Sequence, residues 1–478
     1  MIWLRNAMPV CWSRRCSSGV STTATRTLVV SNSCHSSLRS DVEMIAANHR
    51  IGAAPSVVSM ARNSSHSYNL HAQQRYFAAS TAPTTTTTTT TTTNESEMKD
   101  EYGAMDDSGK TFVYQNFVLE NGQVLPEAQL RYQTYGTLNA TKDNVLVVCH
   151  ALTGNASLHA WWGDLLGDQL AFDTSQYFVV CCNLLGSCYG STNPTSLNPL
   201  TGKAYGKDFP DVSVRDSVRL QLLLLQQELQ LHSVKAVIGG SFGGMQTLEF
   251  AVQAGSSANE LEEDDAPAYL QDNFYDAEGN PFVRSVIPIA CGAQHTAWQI
   301  AISEVQRQAI QKDPHWENEP EKATAGLEIA RQLGMVTYRT PKGYQTKFGR
   351  DLMDATSPAY GTQARWQVQS YLEYQGQKFL SRFDPITYVK LTEQMDSHDL
   401  ARGRGDSLEE VLRRVTIPAL VLGIDSDVLY PLTEQEELAE LLPRGALKVI
   451  HSEDGHDGFL LEQDQVGQHI IDFLQLRE

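Results

Sequence analysis

The stretch Val237-Ile238-Gly239-Gly240-Ser241-Phe242-Gly243-Gly244-Met245-Gln246 decides the interpretation of this chain. Apolar residues end in two glycines, a serine follows, and two more glycines precede a segment suited to a helix. The centre matches G-x-S-x-G, the pattern of a nucleophile elbow, in which a serine stands on a tight turn between a strand and a helix. Glycines on both sides let strand and helix approach each other closely. The pattern alone is common, so a glycine-rich turn with an incidental serine remains the alternative.

Strands and helices alternate around this turn. Apolar runs predict strands at 111–119, 129–135, 145–149, 177–182, 236–238, 285–290, 419–423 and 446–450. Helical periodicity predicts helices at 211–231, 243–252, 433–442 and 463–476. Uninterrupted apolar strands such as Val-Leu-Val-Val-Cys at 145–149 are typical of a parallel sheet covered on both faces. The sequence therefore predicts an α/β fold with a mostly parallel sheet and helices on both faces.

Residues 293–411 interrupt this alternation with one helical segment after another, at 295–311, 324–338 and 367–379. Because the block lies between two strands of one sheet, we expect an inserted helical cap over the carboxyl ends of the strands, where ligands bind. The predicted organisation is a leader at 1–105, a core at 106–292 and 412–478, and the cap at 293–411. The acidic stretch at 256–280 is interpreted as a solvated surface insertion.

The leader differs from the rest in composition. Residues 1–94 carry eight arginines, no lysine and two acids, and Thr84–Thr93 is an unbroken threonine run. A segment rich in Ser, Thr and Arg and poor in acids is typical of an organelle transit peptide. Arg75-Tyr76-Phe77-Ala78-Ala79-Ser80 resembles a mitochondrial processing site, so we expect a disordered leader with a mitochondrial address. A plastid address, a cytoplasmic location or a tail without targeting role remains open.

Charge and cysteine usage limit the classes of function. The formal net charge is −19, and because the leader contributes about +6, the body carries about −25. Such an acidic body argues against nucleic acid as a partner. No apolar run reaches the ~18 residues that a membrane span requires. Eight cysteines at irregular spacing include no Cys-x-x-Cys pair, so we expect reduced, buried cysteines and no metal site.

A serine nucleophile needs a base, and the base needs an orienting acid. On a sheet of this kind the partners follow the serine in the order acid, then histidine, each in a loop after a late strand. Asp427, after the strand at 419–423, and His456, after the strand at 446–450, fit these roles as partners of Ser241. Asp425 is the rival acid. His451 is the rival base, although it lies closer to the strand end and lacks a flanking glycine.

Two backbone N–H groups are expected to form the oxyanion hole. One belongs to Leu152, in the loop His150-Ala151-Leu152-Thr153-Gly154 after the strand at 145–149, and the other to Phe242, directly after the nucleophile. His150 is interpreted as a structural histidine. The long polar loop at 183–202 is also expected to be functional.

Together these motifs resemble the homoserine O-acetyltransferases, a family of the α/β-hydrolase superfamily. The resemblance covers roughly 111–478. Its motifs are the stretches 150–154, 186–192, 239–246, 427–431 and 455–459, with 371–379 and Met395-Asp396 in the predicted cap.

The resemblance implies an α/β-hydrolase fold and transfer of the acetyl group of acetyl-CoA through Ser241 to the hydroxyl of L-homoserine, in methionine biosynthesis. It implies no metal, no tightly bound cofactor beyond acetyl-CoA as a co-substrate, and a homodimer through the cap helices. It also implies that Arg331 holds the substrate carboxylate, Tyr338 makes a second contact, Asp457 pairs with the α-ammonium and Thr153 lines the pocket.

The residues alone leave other interpretations open. Arg331 would be a helix-surface cation, Tyr338 a core aromatic residue and Asp457 a loop-surface carboxylate. Asn193, where many family members have glycine, and the insertion at 256–280 depart from the family pattern and leave the acyl preference open.

Three alternative functions follow. Serine as acceptor or succinyl-CoA as donor would use the same mechanism, an ester hydrolase would pass the acyl group to water, and an inactive binding protein would use the fold alone.

Overall fold

One sheet of eight strands organises the part of the chain that the computed structural model describes, residues 109–256, 274–354, 361, 364–405 and 407–476. Its strands are β1 Lys110–Val118, β2 Val124–Tyr135, β3 Val145–Cys149, β4 Phe178–Cys182, β7 Ala236–Gly240, β8 Val286–Ile289, β9 Ala419–Ile424 and β10 Gly445–Ile450; β5 Leu197–Asn198 and β6 Lys203–Ala204 form a separate hairpin. The order is β1-β2-β4-β3-β7-β8-β9-β10. These residues fall within one unit, 92–478, and the predicted leader lies outside the described residues.

Parallel pairing runs from β4 to β10, and β1 and β2 add an antiparallel edge. Every residue of β3 and β7 is buried, whereas the edge strand β10 alternates between exposed and half-buried positions. Central strands are apolar throughout because both of their faces are covered. The predicted α/β fold with a mostly parallel sheet is confirmed.

Helices cover both faces of the sheet. They are α1 Leu158–Trp161, α2 Val214–Leu223, α3 Phe242–Ala254, α4 Ala297–Gln311, α5 Thr324–Thr337, α6 Pro341–Phe348, α7 Gln367–Leu380, α8 Pro385–Asp396, α9 Leu408–Arg413, α10 Leu432–Leu441, α11 Gly458–Leu461 and α12 Gln463–Gln475. Side chains alternate along β3: Val145 and Val147 enter one apolar cluster, and Leu146 and Val148 enter another. The two clusters are the two faces of the sheet.

In the described chain, α4 to α9 lie between β8 and β9. The predictions at 295–311, 324–338 and 367–379 agree with α4, α5 and α7 to within two residues, but α6, α8 and α9 were not predicted. The helix predicted at 211–231 is shorter than expected. It begins after Ser213, whose side chain forms a capping box with Asp216, and after Leu223 it gives way to a π-helical turn, Leu224–Glu228.

No helix of the described residues is long and apolar enough to cross a membrane. Much of the predicted insertion, 257–273, lies outside the described residues.

Candidate active site

Ser241 stands on a strained turn between β7 and α3. Its backbone has φ 58° and ψ −122°, a conformation that residues with a side chain rarely adopt. Its N–H donates to the Ile289 carbonyl of β8 at 2.9 Å. A Cβ on Gly239 would overlap the Gly243 carbonyl, and one on Gly243 would overlap the Cys149 carbonyl of β3. Both positions require glycine because the strand and the helix approach each other closely there. The structure therefore forms the predicted nucleophile elbow.

His456 and Asp427 form a buried pair next to this turn. The His456 Nδ1 lies 2.6 Å from the Asp427 Oδ2, and the Asp427 Oδ1 accepts from the backbone N–H groups of Leu429 and Tyr430 at 2.8 and 2.9 Å. Burial lowers the pKa of His456, but the Asp427 carboxylate outweighs burial and holds it above its ordinary value. The pair is thus an imidazole fixed and polarised by a carboxylate.

Ser241 shares a cavity with the surroundings of His456. The rings of Tyr338 and Tyr430 lie 6.0 and 5.1 Å from the His456 ring, and both tyrosines line the same cavity as Ser241. The His456 Nε2 is buried and has no hydrogen-bond partner. Ser241 and the two tyrosines packed against His456 therefore line one cavity, and the Nε2 makes no hydrogen bond to the serine, as is common in unliganded sites of this type.

The rival acid and base pair with each other at the surface. The His451 Nδ1 lies 2.8 Å from the Asp425 Oδ2, and the His451 side chain is 76% exposed. Of the two carboxylate–histidine pairs that the sequence allowed, only Asp427–His456 is buried beside the cavity of Ser241.

The two predicted oxyanion donors flank Ser241. Leu152 lines its cavity, and Phe242 is the first residue of α3. Because Gly244 and Met245 make the first bonds of this helix, to the Ser241 carbonyl at 2.8 and 3.1 Å, the Phe242 N–H precedes the intrahelical hydrogen bonds.

His150 serves the loop that carries Leu152. Burial lowers its pKa to about 4, so the ring is neutral. The Nδ1 lies 2.7 Å from the Ala151 carbonyl, and the Nε2 accepts from the Leu184 N–H at 3.2 Å. Both nitrogens contact backbone groups, which agrees with a structural histidine.

A buried arginine supports the same loop. The Arg382 Nη1 donates to the Thr153 carbonyl at 3.0 Å and to the Tyr189 hydroxyl at 2.9 Å. No local pattern in the sequence marks this residue, because its contacts come from segments about two hundred positions away.

Three of the four residues implied as substrate contacts, Arg331, Tyr338 and Asp457, lie in or near the loop of His456. Arg331 is buried on α5 with its guanidinium 4.9 Å from the Phe379 ring, so the surface-cation interpretation is wrong. Tyr338 lines the cavity. The Asp457 carboxylate pairs with the Arg339 Nε at 2.8 Å. Burial raises the pKa of Asp457, and the cations of Arg339 and its neighbours offset only part of that rise.

Arg339 was not predicted. Its Nη1 also donates to the Asp454 carboxylate at 2.6 Å, so one cation joins two acids of the His456 loop.

Asn193 is buried within its own loop, where its side-chain amide donates to the Ser191 carbonyl at 2.7 Å and its Oδ1 accepts from the Thr195 N–H at 2.7 Å.

The cavity of Ser241 is small and partly polar. It measures about 30 Å³ and holds about two water molecules. The amino-terminal part of α4 contributes Gln299 and Ser303, and His295 joins them. The His295 Nδ1 lies 2.8 Å from the Asp396 carboxylate, a second buried histidine–acid pair that the sequence did not reveal.

One group of possible metal ligands lies at the opposite end of the sheet in the described chain. His232, Asp276 and Glu278 bring ligand atoms within 4.8 Å of one another, near the start of β7. Arg284 already pairs with the Asp276 carboxylate, and the group is remote from Ser241 by topology. It has no part in the site.

The fold and this arrangement define the class of protein. A family model described as the alpha/beta hydrolase fold matches residues 144–261. A crystal structure of homoserine O-acetyltransferase from Bacillus anthracis superposes with a TM-score of 0.66 at 24% identity, covering 77% of this chain and 97% of that one. The chain is an α/β hydrolase by fold.

Curated relatives define the family. Homoserine O-acetyltransferase of Salinibacter ruber is 46% identical over 359 residues, 74% of this chain and 94% of that protein. The protein of the same name from Chlorobium chlorochromatii is 44% identical over 366 residues, 76% of this chain and 94% of that protein. The chain belongs to the homoserine O-acetyltransferase family.

Proposed function

We propose that this chain transfers the acetyl group of acetyl-CoA to the side-chain hydroxyl of L-homoserine through an acetyl ester on Ser241, as a step of methionine biosynthesis. The observation that carries the chemistry is the buried Asp427–His456 pair beside the strained serine turn. The choice of substrates rests on the family, because the alignments with its curated members cover 94% of the length of each of those proteins.

Acylation uses the triad and two backbone donors. The His456 Nε2 takes the proton of the Ser241 hydroxyl while its oxygen attacks the thioester carbonyl. The N–H groups of Leu152 and Phe242 hold the oxyanion, an interaction worth about 3 kcal/mol per donor in related enzymes. The C–S bond then breaks, and the departing sulfur takes the proton from His456, so that CoA leaves as its thiol.

Deacylation repeats these steps with homoserine. His456 removes the proton of the acceptor hydroxyl, whose oxygen attacks the acetyl ester, and Ser241 recovers the proton as the product ester leaves. Arg331 binds the α-carboxylate and Asp457 the α-ammonium, with Tyr338 and Thr153 beside them. Transfer exceeds hydrolysis when the cap limits water near the ester while Arg331 and Asp457 orient the acceptor.

A crossed assay tests this proposal. The full chain is incubated with acetyl-CoA or succinyl-CoA and with homoserine or serine, and both CoA and the ester product are measured. We expect O-acetylhomoserine to form fastest. Faster reaction with serine or succinyl-CoA would identify the alternative transferases, and CoA release unaffected by either acceptor would identify an ester hydrolase. No reaction, together with no labelling of Ser241 by an active-site serine probe, would identify an inactive binding protein.

We propose no metal and no tightly bound cofactor, because every proton and bond in these steps is accounted for by the triad and the two substrates. Chelation by EDTA followed by gel filtration should leave the transfer rate unchanged. A loss of activity that a divalent cation restores would contradict this part of the proposal.

For the N-terminal part, we propose that residues 1–105 are a leader with a mitochondrial address, followed by a core at 106–292 and 412–478 and a cap at 293–411. The curated relatives are bacterial and match about three quarters of this chain, which is compatible with an added leader. A fusion of residues 1–105 to a fluorescent protein should enter mitochondria. Import into plastids or a cytoplasmic signal would contradict the address.

The proposed homodimer uses the cap helices. Apolar side chains are exposed on α4 and α5, with Val305 and Ile329 each 57% exposed and Trp298 56% exposed. Such side chains on neighbouring helices suit an interface. The double variant Val305→Asp, Ile329→Asp should halve the mass measured by light scattering. An unchanged dimer, or a monomeric wild type, would contradict the proposed interface.

A further inference from the structure

The helix that follows the active-site tyrosine is unusually basic for this acidic chain. Residues 339–350 contain Arg339, Lys342, Lys347 and Arg350 and no acid, in a protein with 56 acids and 37 basic residues. The segment comprises the two residues before α6, the whole of α6 and the two residues after it.

The amino end of α6 is attached to the catalytic loop. The Thr340 hydroxyl donates to the Glu453 carbonyl at 2.5 Å, and Lys342 pairs with the Glu453 carboxylate at 2.5 Å. Arg339 is paired with Asp454 and Asp457. The first two cations of the segment are thus neutralised by the loop that carries His456.

The carboxyl end of α6 offers cations and aromatic faces together. The Lys347 ammonium lies 4.6 Å from the centre of the Tyr371 ring, and the Arg350 guanidinium lies 4.6 Å from that of the Trp366 ring. Burial and the neighbouring Arg339 lower the pKa of Lys347, so an approaching anion would relieve an unfavourable environment.

A cavity of about 230 Å³ lies at this end of the helix, lined by Phe348, Gly349, Arg350, Asp351, Trp366 and Val368. Phe348 and Trp366 contribute aromatic rings to the lining, Arg350, which already stacks on Trp366, suits a phosphate, and the Asp351 carboxylate can accept from an exocyclic amine. This combination fits an adenosine phosphate, in which a planar purine with an amino group accompanies a dense negative charge.

The length of α6, counted from the loop that carries His456, is close to that of the pantetheine arm of an acyl-CoA. The pantetheine arm has the length of about four extended residues, ~14 Å. Helix α6 has eight residues and spans ~12 Å, and its amino end adjoins the His456 loop. Together, these observations lead us to propose that the cavity between α6 and Trp366 binds the adenosine phosphate end of the acyl donor. This inference rests on the proposed function for the identity of the donor.

The test compares a donor that carries the nucleotide with one that lacks it, using the full chain. Steady-state KM values are measured for acetyl-CoA and for S-acetyl-N-acetylcysteamine, and adenosine 3′,5′-bisphosphate is titrated calorimetrically without turnover. The variant is Arg350→Glu. The matched control is Arg413→Glu, an exposed arginine of α9 that pairs with Glu409 near the amino end of β9.

We expect Arg350→Glu to raise the ratio of the acetyl-CoA KM to the truncated-donor KM about tenfold and to weaken bisphosphate binding by a similar factor, as for loss of a charge-assisted hydrogen bond. Trp366→Ala should also raise the KM ratio and weaken bisphosphate binding, although it changes no charge. Arg413→Glu should change neither the ratio nor the binding. The inference is overturned if Arg350→Glu leaves bisphosphate affinity at the wild-type value, or if it raises both KM values equally. If acetyl transfer itself is absent, the bisphosphate titration still decides this inference separately.

Discussion

At the scale of single residues, Ser241 combines reactivity with strain. A side chain at φ 58° costs of order 1–3 kcal/mol, and only the packed turn around it maintains that conformation. The same glycine-flanked geometry that exposes the hydroxyl therefore lowers the stability of the protein.

The first prediction follows from this strain. Ser241→Gly should abolish acyl transfer and yet raise the free energy of unfolding by about 1 kcal/mol relative to Ser241→Ala, because glycine adopts this backbone conformation without penalty. Urea unfolding of the two variants measures the difference. A glycine variant less stable than the alanine variant would show that the turn is not strained.

The second prediction concerns the pH dependence set by Asp427. His456 must be neutral to accept a proton, so kcat/KM should fall as pH decreases through its pKa, which Asp427 holds above the ordinary ~6.5. Asp427→Asn should lower kcat about 10⁴-fold and shift this acid limb to lower pH.

The control for Asp427 is Asp425→Asn, which removes the carboxylate of the exposed pair with His451. This control should leave the rate and the acid limb at their wild-type values. If the acid limb of the pH profile shifts in the Asp425 variant and not in the Asp427 variant, Asp425 and not Asp427 is the acid that orients the catalytic histidine.

Single residues differ in how well the sequence predicts them. Ser241, Asp427 and His456 follow strands whose carboxyl ends share one edge, so chain order places them together. Arg382 and His295 could not be predicted, because their partners are set by packing between distant segments. Arg339 binds the loop of His456 across more than a hundred positions for the same reason.

At the scale of elements, the packing of α3 against β3 and β7 determines the geometry of the active site. Gly243, in the first turn of α3, lies against the Cys149 carbonyl at the end of β3. Leu152 follows β3 by a few residues, so this contact also sets the separation of the two oxyanion donors.

The third prediction tests that contact. Gly243→Ala should lower the free energy of unfolding by about 1–3 kcal/mol through overpacking and reduce kcat, because α3 must move away from β3. Gly163→Ala is the matched control, since a Cβ there meets no atom within 4 Å. Equal thermal midpoints and rates for the two variants would contradict the close contact.

Elements were predicted best where periodicity was continuous. β3 matches its predicted bounds, and α4 is shorter by two residues. Helices α6 and α8 were not predicted, since each begins at a proline after a Thr or Asp cap, a pattern that also suits a turn. The tertiary contacts of these helices decide their conformation.

At the scale of the whole molecule, the sheet that carries Ser241 is joined to the block of helices α4 to α9, which contributes to the cavity of the serine. The cavity receives side chains from α4, α5 and α8 and from loops after β3, β7 and β9.

The fourth prediction concerns the N-terminal part. Residues 1–91 lie outside the residues that the structure describes. Deleting residues 1–91 should leave kcat/KM unchanged and shift the thermal midpoint by less than about 2 °C, because the deletion removes no part of the described core. A large loss of stability or activity would show that the leader belongs to the catalytic unit.

The central claim is that Ser241 carries the acetyl group between donor and acceptor. The most direct measurement mixes the full chain with acetyl-CoA in the absence of an acceptor, quenches in acid and maps acetylated peptides by mass spectrometry. We predict one acetyl group on Ser241, its absence in Ser241→Ala, and its loss with formation of O-acetylhomoserine when homoserine is added before the quench. Acetyl transfer by Ser241→Ala at the wild-type rate, or a homoserine-labile acetyl group on another residue, would contradict the account.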